Sequence, residues 1–317
     1  WFTGNGGVAV REEAVEPKGG EMIIESRISA ISHGTERRIL LGHLSAALTG
    51  ETLSALRNAS GYPVKYGYMN AGTSRDGARY FAFYPHQDVF AAAESDLLPF
   101  GDELEFDDAV LLANVETALG VVHDAAPRYG ETVCVAGQGM VGLLVSELLV
   151  ESGVTVLAVE PNAARRRRSE ENGCIAFDPT DDTATEQIYD ATEGRGTDVG
   201  INLSASAEAL QHLIDTAGHE ARIVEASWYG TAAACLDLGT SFHRKRLQVV
   251  SSQVSHLGAG MTSRWSKNRR LELAKRVAAR IRPSKYITHR FPLDHAAAAF
   301  DLLATADESV LQIVLEP

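Results

Sequence analysis

The fold class of this chain is decided by residues 132–151, which read TVCVAGQGMVGLLVSELLVE. The first five residues form an apolar run, rich in β-branched side chains, of the kind found in fully buried strands. Three glycines follow in the spacing G-x-G-x-x-G, at Gly137, Gly139 and Gly142. The remaining residues place apolar side chains on one helical face. This succession of strand, glycine turn and helix predicts a binding site for the pyrophosphate of a dinucleotide.

Each part of the turn has a physical task. The first glycine permits the tight turn, the second lets the backbone approach a pyrophosphate, and the third lets the helix pack closely on the strand. The start of the helix offers N–H groups and a positive dipole end to the phosphates. A tight turn that holds no ligand is the alternative. The residues predicted to bind the cofactor here are Gly137, Gln138, Gly139, Met140, Val141 and Gly142.

The choice of dinucleotide is predicted from Glu160, which ends the next apolar run. A carboxylate at this point can accept hydrogen bonds from the adenosine ribose and would repel a 2′-phosphate, so NAD is predicted over NADP. Residues 165–168 are four consecutive arginines on the following helix. They are interpreted as a solvated helix face, and a contact of Arg165 with adenine or with a 2′-phosphate is the alternative.

Strands and helices alternate through the middle of the chain. Short strands separated by helices predict a parallel, doubly wound sheet of the α/β class. The opening third is instead rich in strands, around an irregular or helical insertion, and the last segment returns to helix and strand. The predicted strands are 7–11, 22–31, 79–84, 132–136, 154–159, 198–203, 221–226, 247–251 and 310–315; the predicted helices are 107–122, 141–151, 163–172, 207–216, 268–281 and 294–303; the insertion is 42–58.

Composition restricts the class of protein. The 317-residue chain carries a net charge of −13, which argues against a nucleic-acid or anionic-membrane partner. No apolar run reaches the roughly 18 residues that span a bilayer, and no leader-like segment precedes the first strand, so a cytoplasmic protein is expected. Three scattered cysteines form neither a disulfide framework nor a zinc ribbon. The acidic excess with only six lysines is typical of a high-salt cytoplasm, and a GC-rich genome is the alternative explanation.

Taken together, these features resemble the medium-chain dehydrogenase/reductase family. The resemblance implies a GroES-like catalytic domain at residues 1–118 and 260–317 and a Rossmann dinucleotide-binding domain at residues 119–259. Within the family, the chain resembles a branch that includes bacteriochlorophyllide a dehydrogenase and that is often described as zinc-type. The motifs that carry this likeness are ISHGTE (31–36), YPVKYGY (62–68), YPHQD (84–88), ANVETAL (113–119) and SWYG (227–230).

The resemblance also implies positions for a catalytic zinc ion, and most of them lack a metal donor here. The first ligand position falls on His33, the second on Tyr68 and the third on Ala113. The glutamate that follows the second ligand is replaced by Met69. Zinc needs about three protein donors from cysteine, histidine or carboxylate, so no metal site is predicted. A rearranged site that uses His33 and Glu116 is the alternative.

Without zinc, hydrogen-bond donors must stabilise the negative oxygen that forms when a hydride reaches a carbonyl. The resemblance places Thr35 at the proton-relay hydroxyl, and Arg38 where relatives have a relay histidine. His33 can exchange a proton near neutral pH. Tyr68 brings a phenol to a ligand position, and Glu116 could orient the others. The structural alternatives are a turn hydrogen bond for the threonine, buried or space-filling roles for the histidine and tyrosine, a helix brace for the glutamate and a surface ion pair for the arginine.

Further polar residues follow predicted strand ends, where dinucleotides bind in open α/β sheets. Thr117 is carried over as a threonine that faces the cofactor. Trp228 is a candidate for substrate contact, with a core position as the alternative, and His86 is expected to be structural. Residues 251–253 lie where family members often pair, which predicts a homodimer. The remaining predicted cofactor residues are Asn202, Ser204 and Ser227.

The leading functional hypothesis is a zinc-independent oxidoreductase that transfers a hydride between NAD(H) and a small alcohol or carbonyl substrate. Two alternatives stay open. One is an NADPH-dependent reductase of a quinone or an enone, against which Glu160 argues. The other is a dinucleotide-binding protein without catalytic activity, against which the retained polar residues argue.

Overall fold

The computed structural model describes residues 1–4, 6–44, 56, 61–230, 232–258, 260–305 and 307–317. The chain forms two compact units. The first unit comprises Trp1–Ala113 and Leu271–Pro317, and the second comprises Asn114–Arg270. Within the described ranges, no helix is both long enough and apolar enough to cross a membrane.

The strands and helices are labelled in chain order over the described residues. The strands are β1 (Phe2–Gly4), β2 (Gly7–Val8), β3 (Glu21–Ala30), β4 (Asn70–Ser74), β5 (Arg79–Ala82), β6 (Val89–Ala93), β7 (Leu97–Phe100), β8 (Thr132–Ala136), β9 (Thr155–Val159), β10 (Ile175–Phe177), β11 (Thr197–Asn202), β12 (Ala217–Glu225), β13 (Gln248–Ser251), β14 (His289–Pro292) and β15 (Ile313–Glu316). The α-helices are α1 (His33–Leu40), α2 (Phe106–Ala109), α3 (Leu112–Ala125), α4 (Met140–Glu151), α5 (Ala163–Glu171), α6 (Ala184–Ala191), α7 (Ala207–Thr216), α8 (Ser241–Arg244), α9 (Lys267–Ile281) and α10 (Ala296–Thr305).

The second unit is built on a six-stranded sheet in the order β10-β9-β8-β11-β12-β13. All of its strand pairs are parallel. The five residues of β8 are all buried, as is expected of a central strand with helices on both faces. The order runs outward in both directions from β8 and β11, so the glycine turn after β8 lies where the strand order reverses. The predicted doubly wound parallel sheet is confirmed.

The first unit contains a seven-stranded sheet with β14, β15, β3, β4, β5 and β7 in sequence and β6 paired to β3. β14 and β15 are parallel, and the other pairs are antiparallel. Its main apolar core includes Ile31, Ile39, Phe300 and Ile313, which α1, α10 and the adjoining strand bring together. This unit has the GroES-like architecture that accompanies the nucleotide-binding sheet in medium-chain dehydrogenases.

Several predicted elements have different bounds in the structure. The strand expected at 7–11 is limited to β2, which pairs only with β1. The helix expected at 107–122 is two helices, α2 and α3. Residues 109–112, from the end of α2 to the start of α3, are all fully buried. Hydrophobic periodicity therefore could not reveal the break between the two helices. The strand expected from 310 begins at Ile313. The predicted insertion at 42–58 lies mostly outside the described residues.

Candidate functional site

At two positions of the turn after β8, the backbone conformation or the packing of the folded chain allows only glycine. Gly137 has a φ of +91°, and a Cβ there would lie 2.9 Å from the backbone nitrogen of Ser204. A Cβ on Gly142 would lie 2.0 Å from the carbonyl oxygen of Gly137, so α4 can pack against the turn only with glycine at this position. Both residues are therefore explained by backbone conformation and by close packing.

Gly139 has no such explanation within the protein. It is the N-cap of α4, with φ −72° and ψ −171°, a conformation that any residue adopts. A Cβ on Gly139 would meet no described atom within 4 Å. The space in front of this glycine and of the first N–H groups of α4 is thus open, which is the geometry that a closely approaching phosphate needs.

This open space belongs to a pocket of about 540 Å³ in the second unit. The pocket lies at the carboxyl ends of β8, β9 and β11, where open parallel sheets bind their ligands. Its lining combines apolar residues with a few charged and polar groups, among them Gly139, Glu160, Arg165, Ser204, Glu208 and His212. The size and the mixed lining suit a ligand as large as part of a dinucleotide.

Glu160 is only 4% exposed and is held by the backbone on both sides. Its Oε2 accepts a hydrogen bond from the N–H of Gln138 at 2.7 Å, and its Oε1 accepts one from the N–H of Asn162 at 3.0 Å. Each carboxylate oxygen keeps a second lone pair, so the group can still accept a hydroxyl from a ligand. The two backbone bonds fix the negative charge at the pocket wall.

Gln138, predicted among the cofactor-binding residues, faces the protein interior. Its N–H is donated to Glu160, its amide nitrogen donates to the carbonyl of Val135 at 3.2 Å, and its amide oxygen accepts from Ser146 at 3.1 Å. The residue is fully buried. Its donors are therefore already used inside the protein, and its contribution is to connect the turn to Glu160.

The arginines 165–168 differ in their surroundings. Arg165 lines the pocket, and its backbone N–H is capped by Asn162 Oδ1 at 3.0 Å. Arg166 instead donates to the carbonyl oxygen of Glu160 at 2.7 Å and pairs with Asp178 at 2.9 Å, which ties α5 to the strand ends. Arg165 is therefore the member of the group whose position matches the predicted cofactor contact.

The predicted cofactor residues beyond β11 and β12 belong to one hydrogen-bonded cluster. The buried Asn202 amide nitrogen donates to Glu225 at 2.7 Å and to the Tyr229 oxygen at 2.9 Å. Its amide oxygen accepts from the hydroxyl of Ser204 at 2.7 Å. Ser227 donates its backbone N–H to Glu225 at 2.7 Å. Burial and the neighbouring carboxylate raise the pKa of the Tyr229 phenol, so it acts as a hydrogen-bond donor.

Sequence reasoning missed Glu225 and named Tyr229 only as part of the segment 227–229 beside the nicotinamide, although both residues organise this cluster. Glu225 ends β12 just as Glu160 follows β9, so a carboxylate at a second strand end was a signal that could have been used. Trp228, the predicted substrate residue, lies beside them and is half-buried. The cluster fixes the loop after β12 and leaves the side chain of Ser204 on the pocket wall.

In the first unit, Tyr68 belongs to a second polar network. Its phenol oxygen lies 2.5 Å from the hydroxyl of Ser32. The backbone N–H of Ser32 donates to Glu36 at 2.7 Å, and Glu36 pairs with His86 at 2.8 Å. His86 completes the network through its Nδ1, which lies 2.9 Å from the hydroxyl of Ser29. His86 was expected to be structural, and Glu36 was not among the predicted site residues.

The other predicted catalytic and substrate residues of the first unit lie on α1. His33, Thr35 and Arg38 are all half-buried. Successive residues of a helix are about 100° apart, so these three side chains leave α1 in different directions. His33 and Thr35 both lie in the first turn of α1, directly after Ser32. The structure thus brings Tyr68 to this turn, since Ser32 immediately precedes His33.

Glu116, on α3 in the second unit, is engaged by Arg270. Both the Nε and the Nη2 of Arg270 donate to Glu116 Oε1, at 3.0 and 2.9 Å. Burial raises the pKa of Glu116, and Arg270 opposes that shift. The arginine is itself 2% exposed and also donates to the carbonyl oxygen of Val254. These contacts match the helix-brace alternative. Thr117, the next residue on α3, is half-buried.

The residues at the zinc positions of relatives do not fit a zinc ion. His33 offers one nitrogen donor, Tyr68 offers a phenol already bonded to Ser32, and Ala113 offers none. The nearby carboxylate of Glu36 is committed to His86 and to a backbone N–H. Over the described part of the chain, no group of three or more His, Cys, Asp or Glu side chains is arranged to hold a metal ion. The donor chemistry therefore differs from that of a zinc-dependent site.

Comparison with known proteins finds similarity to dehydrogenases. Residues 141–275 match the zinc-binding dehydrogenase family model. The chain is 22% identical over 222 residues to (R,R)-butanediol dehydrogenase of Neisseria gonorrhoeae, a match that covers 69% of this chain and 59% of that enzyme. The chain spans about half the length of the curated relatives it matches.

Two solved structures share the fold across both units. A protein from Sinorhizobium meliloti 1021 assigned as a zinc-binding dehydrogenase and bound to NADP superposes with a TM-score of 0.80 at 20% identity, covering 100% of this chain and 98% of that one. An alcohol dehydrogenase from Escherichia coli CFT073 complexed with NADH gives a TM-score of 0.76 at 18% identity, over 96% and 94% of the two chains. Residues 141–275 thus match the zinc-binding dehydrogenase family model, and the chain as a whole shares the two-domain fold of these solved dehydrogenases.

Proposed function

We propose that this protein is an oxidoreductase that binds a nicotinamide dinucleotide and interconverts a small alcohol and the corresponding carbonyl compound. The observation that carries the proposal is the open space at Gly139. The other two glycines of the turn are required by the protein's own packing, and this one is explained by a ligand that must approach the backbone. The Neisseria relative, which acts on a butanediol, supports a secondary alcohol as the substrate class.

The dinucleotide, when bound, supplies or accepts the hydride, and the chain's own residues hold it. The first N–H groups of α4 would hold the pyrophosphate at Gly139. The fixed carboxylate of Glu160 accepts hydroxyls of the adenosine ribose and disfavours a 2′-phosphate, so NAD is the proposed cofactor. Arg165 lines the same pocket and is the residue that could favour NADP instead. Thr117, Ser204 and the cluster around Asn202 and Ser227 are proposed to support the remainder of the cofactor.

Proton delivery is proposed to come from the first unit, with Tyr68, Thr35 and His33 as the candidate groups. Arg38 and Trp228 are the proposed substrate contacts. We assign Glu116 a bracing role, because its carboxylate is bound to Arg270 and is buried with it. Proton transfer to Glu116 would neutralise its carboxylate and leave the charge of Arg270 buried without a partner, which is energetically costly.

We also propose that catalysis proceeds without zinc and that the chain resembles the branch around bacteriochlorophyllide a dehydrogenase. Catalysis without zinc is supported by the residues at the implied ligand positions, because the phenol of Tyr68 and the methyl group of Ala113 occupy two of the three. Hydrogen-bond donors would then stabilise the substrate oxygen in place of a Lewis acid. A homodimer formed through the segment at 251–253 is proposed on the family resemblance alone.

The decisive experiment combines binding, turnover and metal content. Purified protein is titrated with NADH and with NADPH while the cofactor fluorescence is followed, and is then assayed with secondary alcohols, ketones, quinones and enones. We expect tighter binding of NADH, turnover of an alcohol–ketone pair, and activity that survives chelators in protein with substoichiometric zinc. Preference for NADPH with reduction of quinones would favour the reductase alternative. Cofactor binding without any turnover would favour a non-catalytic protein, and stoichiometric zinc with chelator-sensitive turnover would refute the metal-free mechanism.

A further inference from the structure

The N-terminus of α1 has an unusual arrangement of its cap. Ser32 is the N-cap residue, yet its side chain makes no capping hydrogen bond. A serine at this position normally accepts an N–H from the first turn of its helix. Here its hydroxyl instead lies 2.5 Å from the phenol oxygen of Tyr68, a residue 36 positions further along the chain. The Ser32 hydroxyl therefore forms a hydrogen bond with the Tyr68 phenol instead of capping α1.

Glu36 holds the backbone of Ser32 in this arrangement. Its Oε1 accepts the Ser32 N–H at 2.7 Å, a contact like the backbone half of a capping box but made from one position further along the helix. The side chain of Glu36 is 0% exposed, so its second oxygen also needs a donor. That donor is His86 Nε2 at 2.8 Å, with the histidine side chain 8% exposed. The backbone of Ser32 is therefore held by a buried carboxylate–imidazole pair.

His86 also contacts the other partner of the Ser32–Tyr68 hydrogen bond. Gly67, which precedes the tyrosine, has a φ of +124°, and a Cβ there would lie 2.8 Å from the His86 ring. The imidazole is thus packed directly against the backbone that carries Tyr68. Its Nδ1 is bonded to Ser29 on β3, so the ring cannot rotate without losing two hydrogen bonds. One buried side chain therefore constrains both ends of the contact.

We propose that Tyr68 is the proton donor of the reaction, that Ser32 donates its hydroxyl hydrogen to the phenol oxygen, and that Glu36 and His86 are positioning residues for this pair. The inference rests on the proposed function. In carbonyl reduction, a bound dinucleotide would supply the hydride to the carbonyl carbon and would itself be oxidised. The O–H bond of Tyr68 breaks, its proton passes to the substrate oxygen, and the resulting phenolate is stabilised by the Ser32 hydroxyl.

This assignment selects Tyr68 over the hydroxyl of Thr35 and the imidazole of His33. A phenol becomes an effective acid only if its anion is stabilised, and a hydrogen bond to the charged form does this. The hydroxyl of Ser32 is bonded directly to the phenol oxygen of Tyr68, and the ring of Tyr66 stands edge-on to it with the centroids 6.3 Å apart. The titratable pair of Glu36 and His86 is connected to the phenol through Ser32.

The test measures ionisation of the phenol directly, without turnover. The near-ultraviolet absorbance of phenolate is followed against pH in the wild-type protein and in Tyr68→Phe, and the difference isolates this tyrosine among the nine in the chain. In Ser32→Ala, we expect the ionisation of Tyr68 to move about one to two pH units higher, since a hydrogen bond to the charged form is lost. Ser32→Thr keeps a hydroxyl and should restore the wild-type titration.

Glu36→Gln tests the positioning residues. It keeps the shape of the side chain, and we expect it to move the titration in the same direction as Ser32→Ala by a smaller amount. Circular dichroism spectra establish that each variant is folded. A Tyr68 titration that is unchanged in folded Ser32→Ala overturns the proposal, whatever the turnover. A shifted titration in a protein that turns over no alcohol or ketone refutes the proposed function and supports the Ser32–Tyr68 contact. Where turnover occurs, the pH profile of kcat must shift with the phenol in Ser32→Ala, and a profile that stays in place also overturns the proposal.

Discussion

Replacement of Gly139 by alanine should separate ligand binding from stability. The backbone at this residue is already in a conformation that alanine adopts, and the added methyl group would meet no described protein atom within 4 Å. Reduced freedom of the unfolded chain stabilises such a replacement by about 0.4–1 kcal/mol. Alanine is a poorer N-cap than glycine, which costs roughly as much. The two effects offset each other, so the melting temperature should change little.

Cofactor affinity should respond differently, because the methyl group occupies the space through which a pyrophosphate approaches the turn. We expect the Kd for NADH to rise at least about tenfold, which corresponds to about 1.4 kcal/mol. Fluorescence titration measures the affinity and differential scanning calorimetry measures the melting temperature. An unchanged Kd in a normally folded Gly139→Ala protein would refute the assignment of this opening to a phosphate.

Two matched replacements complete the test. Gly142→Ala places its Cβ 2.0 Å from the carbonyl oxygen of Gly137, so the backbone must shift. Such overpacking costs about 1–3 kcal/mol, and the melting temperature should fall by several degrees. Gly260→Ala also lies in open space without a positive φ, and is away from the turn. It should leave the affinity unchanged and raise the stability by about 0.4–1 kcal/mol, because no N-cap is altered there, and thus controls for the loss of a glycine as such.

Three further outcomes are expected. Glu160→Gln must present its NH₂ group to one of two backbone N–H donors, so it should lose about 1–3 kcal/mol of unfolding free energy in denaturant melts and lower the preference for NADH over NADPH roughly tenfold. Arg270→Met leaves Glu116 buried and unpaired and should cost about 3–5 kcal/mol, whereas the double replacement with Glu116→Met should recover most of it; equal stabilities of the single and double variants would contradict the buried pair. Burial, and secondly Arg270, lower the pKa of His123, so the unfolded chain binds the proton more tightly and the histidine's contribution to stability is lost as pH falls below about 6.5. His123→Phe should therefore gain stability relative to wild type at about pH 5.5 but not at pH 7.5, as measured by denaturant midpoints; an equal difference at both pH values would contradict this.

Much of the fold could be predicted because its signals are local. An apolar run, a glycine spacing and a helical face lie within residues 132–151, and each is read from neighbours along the chain. Element bounds were less predictable where burial is continuous. The break between α2 and α3 falls among residues buried on every side, so the period of the hydrophobic pattern carried no information there.

The candidate sites were predicted less completely, because side-chain partners depend on topology. Gln138 carries the right motif position, yet its donors are used inside the protein. Glu225 was missed because its partner Asn202 lies on a different strand. The Glu36–His86 pair joins residues 50 positions apart. A carboxylate in sequence does not reveal which donor will satisfy it once it is buried.

The sequence by itself predicted the glycine turn after β8 and the parallel sheet around it, and the family resemblance implied that two of the three zinc-ligand positions lack a metal donor. These properties follow from residue identity and from spacing within a few turns of chain. Only the tertiary structure decided which polar groups meet. It assigned Glu116 to Arg270, 154 residues away, and it brought Tyr68 to Ser32. Burial forces every such group to find a partner, and the folding topology decides which one lies within reach.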